Sequence, residues 1–196
     1  MSLFSRRHYV VQEQVAVLKL TDTYDLLDPE SQQLIGIARD EPTPVLKYLR
    51  LVVKKGFLPT TIRVYESGVA APSLTLAKGF TFLRAVVKVS NAAGAELGFF
   101  KSKLFSLGGG FYLFTPDGQQ IAEVKGDWKG WNFRFLDGGG QELGQVTKKW
   151  AGLGKELFTS ADTYLISVSE SIARDPDKSA LLLAAGLAID TVFKER

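Results

Sequence analysis

The chain has 196 residues, 45% hydrophobic and 23% charged, with a net charge of +3, an ordinary globular composition. Cysteine is absent, which excludes a disulfide framework, a thiolate nucleophile, a zinc–thiolate site and palmitoylation, and suits a reducing compartment. The mild positive charge permits an anionic partner surface without announcing one, and the length fits one domain over residues 1–196.

The N-terminal stretch MSLFSRRHYVVQEQVAVLKL is interrupted by Gln12, Glu13 and Gln14, so no signal peptide is expected. Ser2 rules out N-myristoylation. His8, the only histidine, stands beside Arg6 and Arg7 at a strand start and reads as a surface or turn residue rather than a catalytic base. Two strand–turn–strand units follow, TYDLLDPESQQLIGIA and TIRVYESGVAAPSLTL. Three clearer ones come after them: VVKVSNAAGAELGFF, FYLFTPDGQQIAEVK and FRFLDGGGQELGQVT, with turn glycines Gly94, Gly118 and Gly140. Such glycines supply the positive φ of tight hairpins, and hairpins along most of a chain predict an antiparallel sandwich or barrel. Strands are expected over about residues 9–172.

Between the two early units lies KYLRLVVKKGFLP, where Lys47, Arg50, Lys54 and Lys55 stand among apolar residues. A second basic group, Lys148, Lys149 and Lys155, surrounds Trp150, and Lys125 and Lys129 flank Trp128 with Trp131 close by. Basic residues beside aromatics suit phospholipid headgroups; the plainer reading is a solvated strand face with the tryptophans in the core. No nucleophile elbow, HExxH or Cys/His metal spacing occurs. The segment Gly152–Glu156 fails the Walker pattern, with Lys149 where a glycine is needed and Glu156 where a hydroxyl is needed. No cofactor and no enzymatic activity are expected.

The C-terminal stretch is apolar from Ala180 to Ile189. Ten residues are too few for a span of about 20, and a helix apolar on all sides is buried. Asp175 as cap, Pro176 at the first helical position and Asp177 in the first turn start the helix, which is expected over about residues 176–194. A closed antiparallel barrel removes strand edges and leaves an interior that such a helix fills. No transmembrane span is expected.

The segment GQVTKKWAGLGKELFTSADTY, residues 144–164, with the apolar helix and IDTVFKE at 189–195, resembles the C-terminal half of phospholipid scramblases. Those proteins carry a similar Gly-x-Ile-x-Lys-x-Trp-x-Gly segment and an apolar helix ending in Ile-Asp-x-x-x-x-Glu. The likeness is specific over residues 137–195 and diffuse over 9–136. It implies a tubby C-terminal-like fold related to the LURP-one proteins: a mainly β chain, with a closed antiparallel twelve-stranded β-barrel wrapped around the C-terminal helix. The chain departs from the family in lacking a Pro-rich extension and a Cys-rich palmitoylated segment. The family's proposed calcium segment falls on Ser160 to Ser171, where Asp162 matches an acidic position but Ser160, Thr163 and Ser171 replace Asp, Asn and Asp. A hard cation wants about 6–8 oxygen ligands, so Asp162 with Glu170 nearby predicts no metal site. Residues and resemblance together predict a non-enzymatic module that binds phospholipid at a membrane surface, cytoplasmic or peripheral at the membrane. Lys47, Arg50, Lys54, Lys55, Lys148 and Lys149 are its headgroup contacts. The alternatives are calcium-linked scrambling and a protein-interaction scaffold with a protein partner; a nucleic-acid partner is not expected.

Overall fold

The computed structural model describes residues 2–14, 21–103, 110–127, 131–148 and 163–190. Twelve strands among them close into one barrel: β1 (His8–Glu13), β2 (Thr23–Leu27), β3 (Leu34–Asp40), β4 (Thr60–Glu66), β5 (Leu74–Lys78), β6 (Val86–Asn91), β7 (Glu96–Ser102), β8 (Gly110–Phe114), β9 (Gln120–Asp127), β10 (Asn132–Leu136), β11 (Glu142–Thr147) and β12 (Thr163–Val168). Each strand pairs antiparallel with its neighbours in sequence, and β1 closes the ring on β12, with Val10 opposite Leu165. Alternation sets the faces. In β4, Thr60, Ile62 and Val64 point inward, and in β5, Leu74, Leu76 and Lys78 do.

The helix α3 (Pro176–Ala188) fills the barrel. Asp175 caps it, its side chain accepting from the Lys178 N–H at 3.2 Å, and Pro176 takes the first position, as the sequence predicts. Ser179 to Ala188 are all buried, and the helix touches β5 and β7 on one side and β11 and β12 on the other. At 1.5 Å per residue it spans about 20 Å. A short α2 (Glu170–Ala173), capped by Ser169, replaces the end of the expected strand region, because the Ser169 side chain accepts the Ile172 N–H and starts a turn. The expected helix end, residues 191–194, lies outside the described residues.

The repeated post-turn sequences have a structural reason. Gly36, Gly98, Ala122 and Gly144 sit at equivalent places, each just past a register shift in the hairpins β2–β3, β6–β7, β8–β9 and β10–β11. A Cβ added at Gly98 would stand 2.3 Å from the Phe114 carbonyl and 3.0 Å from Leu181 of the helix. One at Gly144 would stand 2.4 Å from the Ser167 carbonyl and 3.3 Å from Leu182. The small residues let the wall approach the helix.

Because all neighbouring pairs are antiparallel, the connections alternate between the two ends. One end carries the tight hairpins with Gly68, Gly94, Gly118 and Gly140 at positive φ and the start of α3. The other, the mouth, carries the connections 41–59 and 79–85 and the end of α3.

Candidate functional site

The KYLRLVVKKGFLP segment is neither strand nor tight turn. It forms α1 (Pro44–Leu49), begun by Pro44, and a 3-10 turn at Lys55–Phe57. None of the α1 side chains is buried, so something other than core packing must hold the segment over the mouth. Ion pairs do this. Arg50 reaches back to Asp40 with both nitrogens, at 2.5 and 3.1 Å, and the two side chains are 3% and 1% exposed. Lys55 pairs with Asp22 and lies 3.6 Å from Asp40. Inward-facing Lys78 donates to the Gly56 carbonyl at 2.8 Å. Asp22 and Asp40 themselves lie side by side on the rim, joined by the Asp40 N–H to the Asp22 carbonyl at 2.9 Å. These two carboxylates are the residues that the sequence reading missed, and two buried acids at one end of a strand pair leave no periodic signal to find.

The four basic residues of the segment therefore divide. Arg50 and Lys55 fold inward onto Asp40 and Asp22, whereas Lys47 and Lys54 point to solvent. Lys148 is half-buried, with its Nζ 4.6 Å from the centre of the Trp131 ring, and that ring packs on Tyr164 at 5.2 Å between centroids. Topology places Lys148 at the same mouth. Lys149 and Asp162 lie outside the described residues, as do Trp128, Lys129, Trp150 and Lys155.

Apolar side chains stand out beside Lys47 and Lys54. Tyr48 is 75% exposed, and Leu51 and Val52 are exposed with it. From residue 42 to residue 58 there is no acidic residue. Glu41, just before, is engaged by Arg63 and by the Tyr65 hydroxyl at 2.8 Å. The surface can offer cations and apolar area together, which suits an amphipathic, anionic partner.

The hairpin end carries ion pairs of its own. A cleft there is lined by Arg6, His8, Asp28, Glu170 and Arg174 among others, with Arg6 paired to Asp28 and Arg174 to Glu170. Burial, followed by the Arg7 charge, pushes the His8 imidazole below its ordinary pKa. Glu170, the second acid of the segment tested for calcium, is committed to Arg174. Among the described residues no three His, Asp or Glu side chains converge on a metal position, and no helix is long and apolar enough to cross a membrane.

A family model described as Scramblase matches residues 72–196, from just before β5 through the buried helix. The chain belongs to the Scramblase family. No curated protein and no solved structure matches it. The Scramblase match takes in ten of the described elements, β5 to β12 with α2 and α3, and it extends the resemblance read from residues 137–195. Within the mouth it includes the loop 79–84 and Lys148, while α1 and the four basic residues of its segment precede it.

Proposed function

We propose that this Scramblase-family chain is a non-enzymatic module that binds phospholipid at a membrane surface through the barrel mouth. The observation that carries the reading is the pairing of exposed Lys47 and Lys54 with exposed Tyr48, Leu51 and Val52 on a segment free of acids. A basic residue near an anionic leaflet contributes about 1 kcal/mol, so Lys47 and Lys54 give roughly 2 kcal/mol before any apolar contact. Arg50 and Lys55 serve the same site differently. Their long side chains pin the segment on Asp40 and Asp22, and they reach phosphate only if those pairs open. Lys148 adds to the positive field of the same end.

Co-sedimentation with phosphatidylcholine vesicles, with and without phosphatidylserine, at low and raised salt tests the reading. Salt-sensitive pelleting that needs the anionic lipid is expected. Failure to pellet with either vesicle under any condition removes it.

Lipid scrambling is the second reading, and the family match is what favours it. It requires lipid to cross the bilayer, whereas Ser179 to Ala188 of α3 are buried inside the barrel. A flip rate in reconstituted vesicles, with calcium, that does not exceed that of protein-free vesicles removes scrambling and leaves surface binding intact.

A further inference from the structure

A second loop stands at the mouth beside α1. Residues 79–84, GFTFLR, connect β5 to β6 and contain no acid. Thr81 is buried, whereas its neighbours Phe80, Phe82 and Leu83 point outward, Phe82 87% and Leu83 82% exposed. Side chains of this size are seldom left in water together unless the patch has a partner. The Thr81 N–H donates to the Phe57 carbonyl at 3.1 Å, which ties this loop to the 3-10 turn after α1. That turn is in turn held by Lys78 and Lys55. The two loops are therefore joined at the mouth, with Tyr48, Leu51 and Val52 on one and Phe80, Phe82 and Leu83 on the other.

We propose that these two loops form a wedge that enters the bilayer, so that Val52, Phe82 and Leu83 reach the acyl chains while Lys47, Lys54 and Arg84 stay among the headgroup phosphates. The inference rests on the surface-binding reading and deepens it: contact is insertion and not only charge attraction. The occupant is argued from chemistry. A protein partner or a second copy with an apolar face would cover Phe82 and Leu83 equally well. It would not account for the exposed cations Lys47, Lys54 and Arg84, with no acid from residue 42 to 58 or from 79 to 85. Anionic headgroups above an apolar layer complement both features at once, and lysine and arginine stems accommodate that boundary, apolar along the chain and charged at the tip. Loops already folded against each other also enter at less ordering cost than a disordered segment that folds on binding.

The absence of cysteine makes the test clean. Val52→Cys and Phe82→Cys, each carrying an environment-sensitive nitrobenzoxadiazole label, report the mouth. Asp117→Cys on the β8–β9 hairpin reports the opposite end. With phosphatidylcholine–phosphatidylserine vesicles, the labels at 52 and 82 are expected to shift to the blue and to be quenched by spin labels on the acyl chains, while the label at 117 stays water-like. Pelleting with all three labels water-like overturns insertion and leaves surface binding standing. No pelleting overturns both. A blue shift that needs no vesicles and grows with protein concentration means that a second copy covers the face, and it also overturns the wedge. The paired variant Phe82→Ser with Leu83→Ser, at positions that make no core contact, is expected to weaken vesicle binding roughly tenfold or more without changing its salt dependence. Lys47→Glu with Lys54→Glu is expected to flatten the salt dependence while the labels still shift in the residual bound fraction.

Discussion

Single residues at the mouth look alike in sequence and differ in what they do. Lys47, Arg50, Lys54 and Lys55 form one basic cluster when read along the chain, yet the structure sends two of them inward. The reason is tertiary: Asp40 and Asp22 stand 10 and 33 residues before their partners, on neighbouring ends of β3 and β2 that come together when those two strands pair. No local spacing announces such a pair. Their energetics separate them too. Removing one member of a buried pair costs about 3–5 kcal/mol when the other charge is left alone; Lys55 still faces Asp40 at 3.6 Å, so Arg50→Ala is expected to lower the unfolding free energy by less, about 1–3 kcal/mol in urea titration. Arg50→Lys is expected to recover only part of it, because a lysine cannot make the two-pronged contact. The exposed Lys47→Glu and Lys54→Glu changes are expected to stay within about 0.5 kcal/mol of the parent while vesicle binding falls. An Arg50→Ala variant as stable as the parent would mean that the pair is not what pins the segment.

At the scale of elements, the hairpins and the helix were legible and their fit was not. Turn glycines at 94, 118 and 140 and the apolar stretch 180–189 each carry a local signal, and the structure places hairpins and helix at those sites. What periodicity could not say is why GAELG, GQQIA and GQELG all end in a small residue. The answer is the approach of the strand to the neighbouring backbone and to α3, which needs the whole barrel to be seen. At Gly98 the obstacle is the Phe114 carbonyl at 2.3 Å, backed by Leu181, and backbone cannot step aside as a flexible side chain can. Gly98→Ala is therefore expected to destabilise by about 1–3 kcal/mol through overpacking, read as a lower urea midpoint with an unchanged slope. Ala122 holds the corresponding place in β9 with its methyl already accommodated, so Ala122→Gly is expected to cost roughly 1 kcal/mol or less, for lost burial and added chain freedom. A Gly98→Ala chain with the parent midpoint would show that the wall has slack there. The α1 excursion was the opposite case. Its apolar residues read as part of a strand run, because nothing in KYLRLVVKKGFLP marks those side chains as exposed.

At the scale of the molecule, a closed barrel around a helix buries polar groups that can be reached only by opening it. Tyr9, Tyr24 and Tyr164, three of the six tyrosines, are almost fully buried. The Tyr9 hydroxyl donates to the Leu3 carbonyl at 2.8 Å beside Ser179, at the entry of α3, and burial pushes its pKa up to about 12. Tyr24 and Tyr164 stand at the mouth. Burial, reinforced by the Asp190 charge at the end of α3, pushes both phenols up. A phenol harder to ionise in the folded chain than in the unfolded one holds its proton more tightly when folded. Its contribution is whole below about pH 10, the ordinary value, and is lost as pH rises through the folded value, which for Tyr9 is about 12. Two pH units correspond to about 3 kcal/mol for that one group, a large part of the stability of a typical domain at about 5–15 kcal/mol. Alkali is therefore expected to open the barrel in one cooperative step above pH 10. Ultraviolet difference absorbance would show the buried phenols ionising together with the loss of β-sheet circular dichroism. Tyr9→Phe removes one of the coupled protons, so its stability is expected to fall less steeply between pH 10 and 12 than that of the parent, at the cost of the bond to Leu3. If Tyr9, Tyr24 and Tyr164 ionise while the dichroism is unchanged, the barrel admits hydroxide without opening, and the helix is not sealed in it.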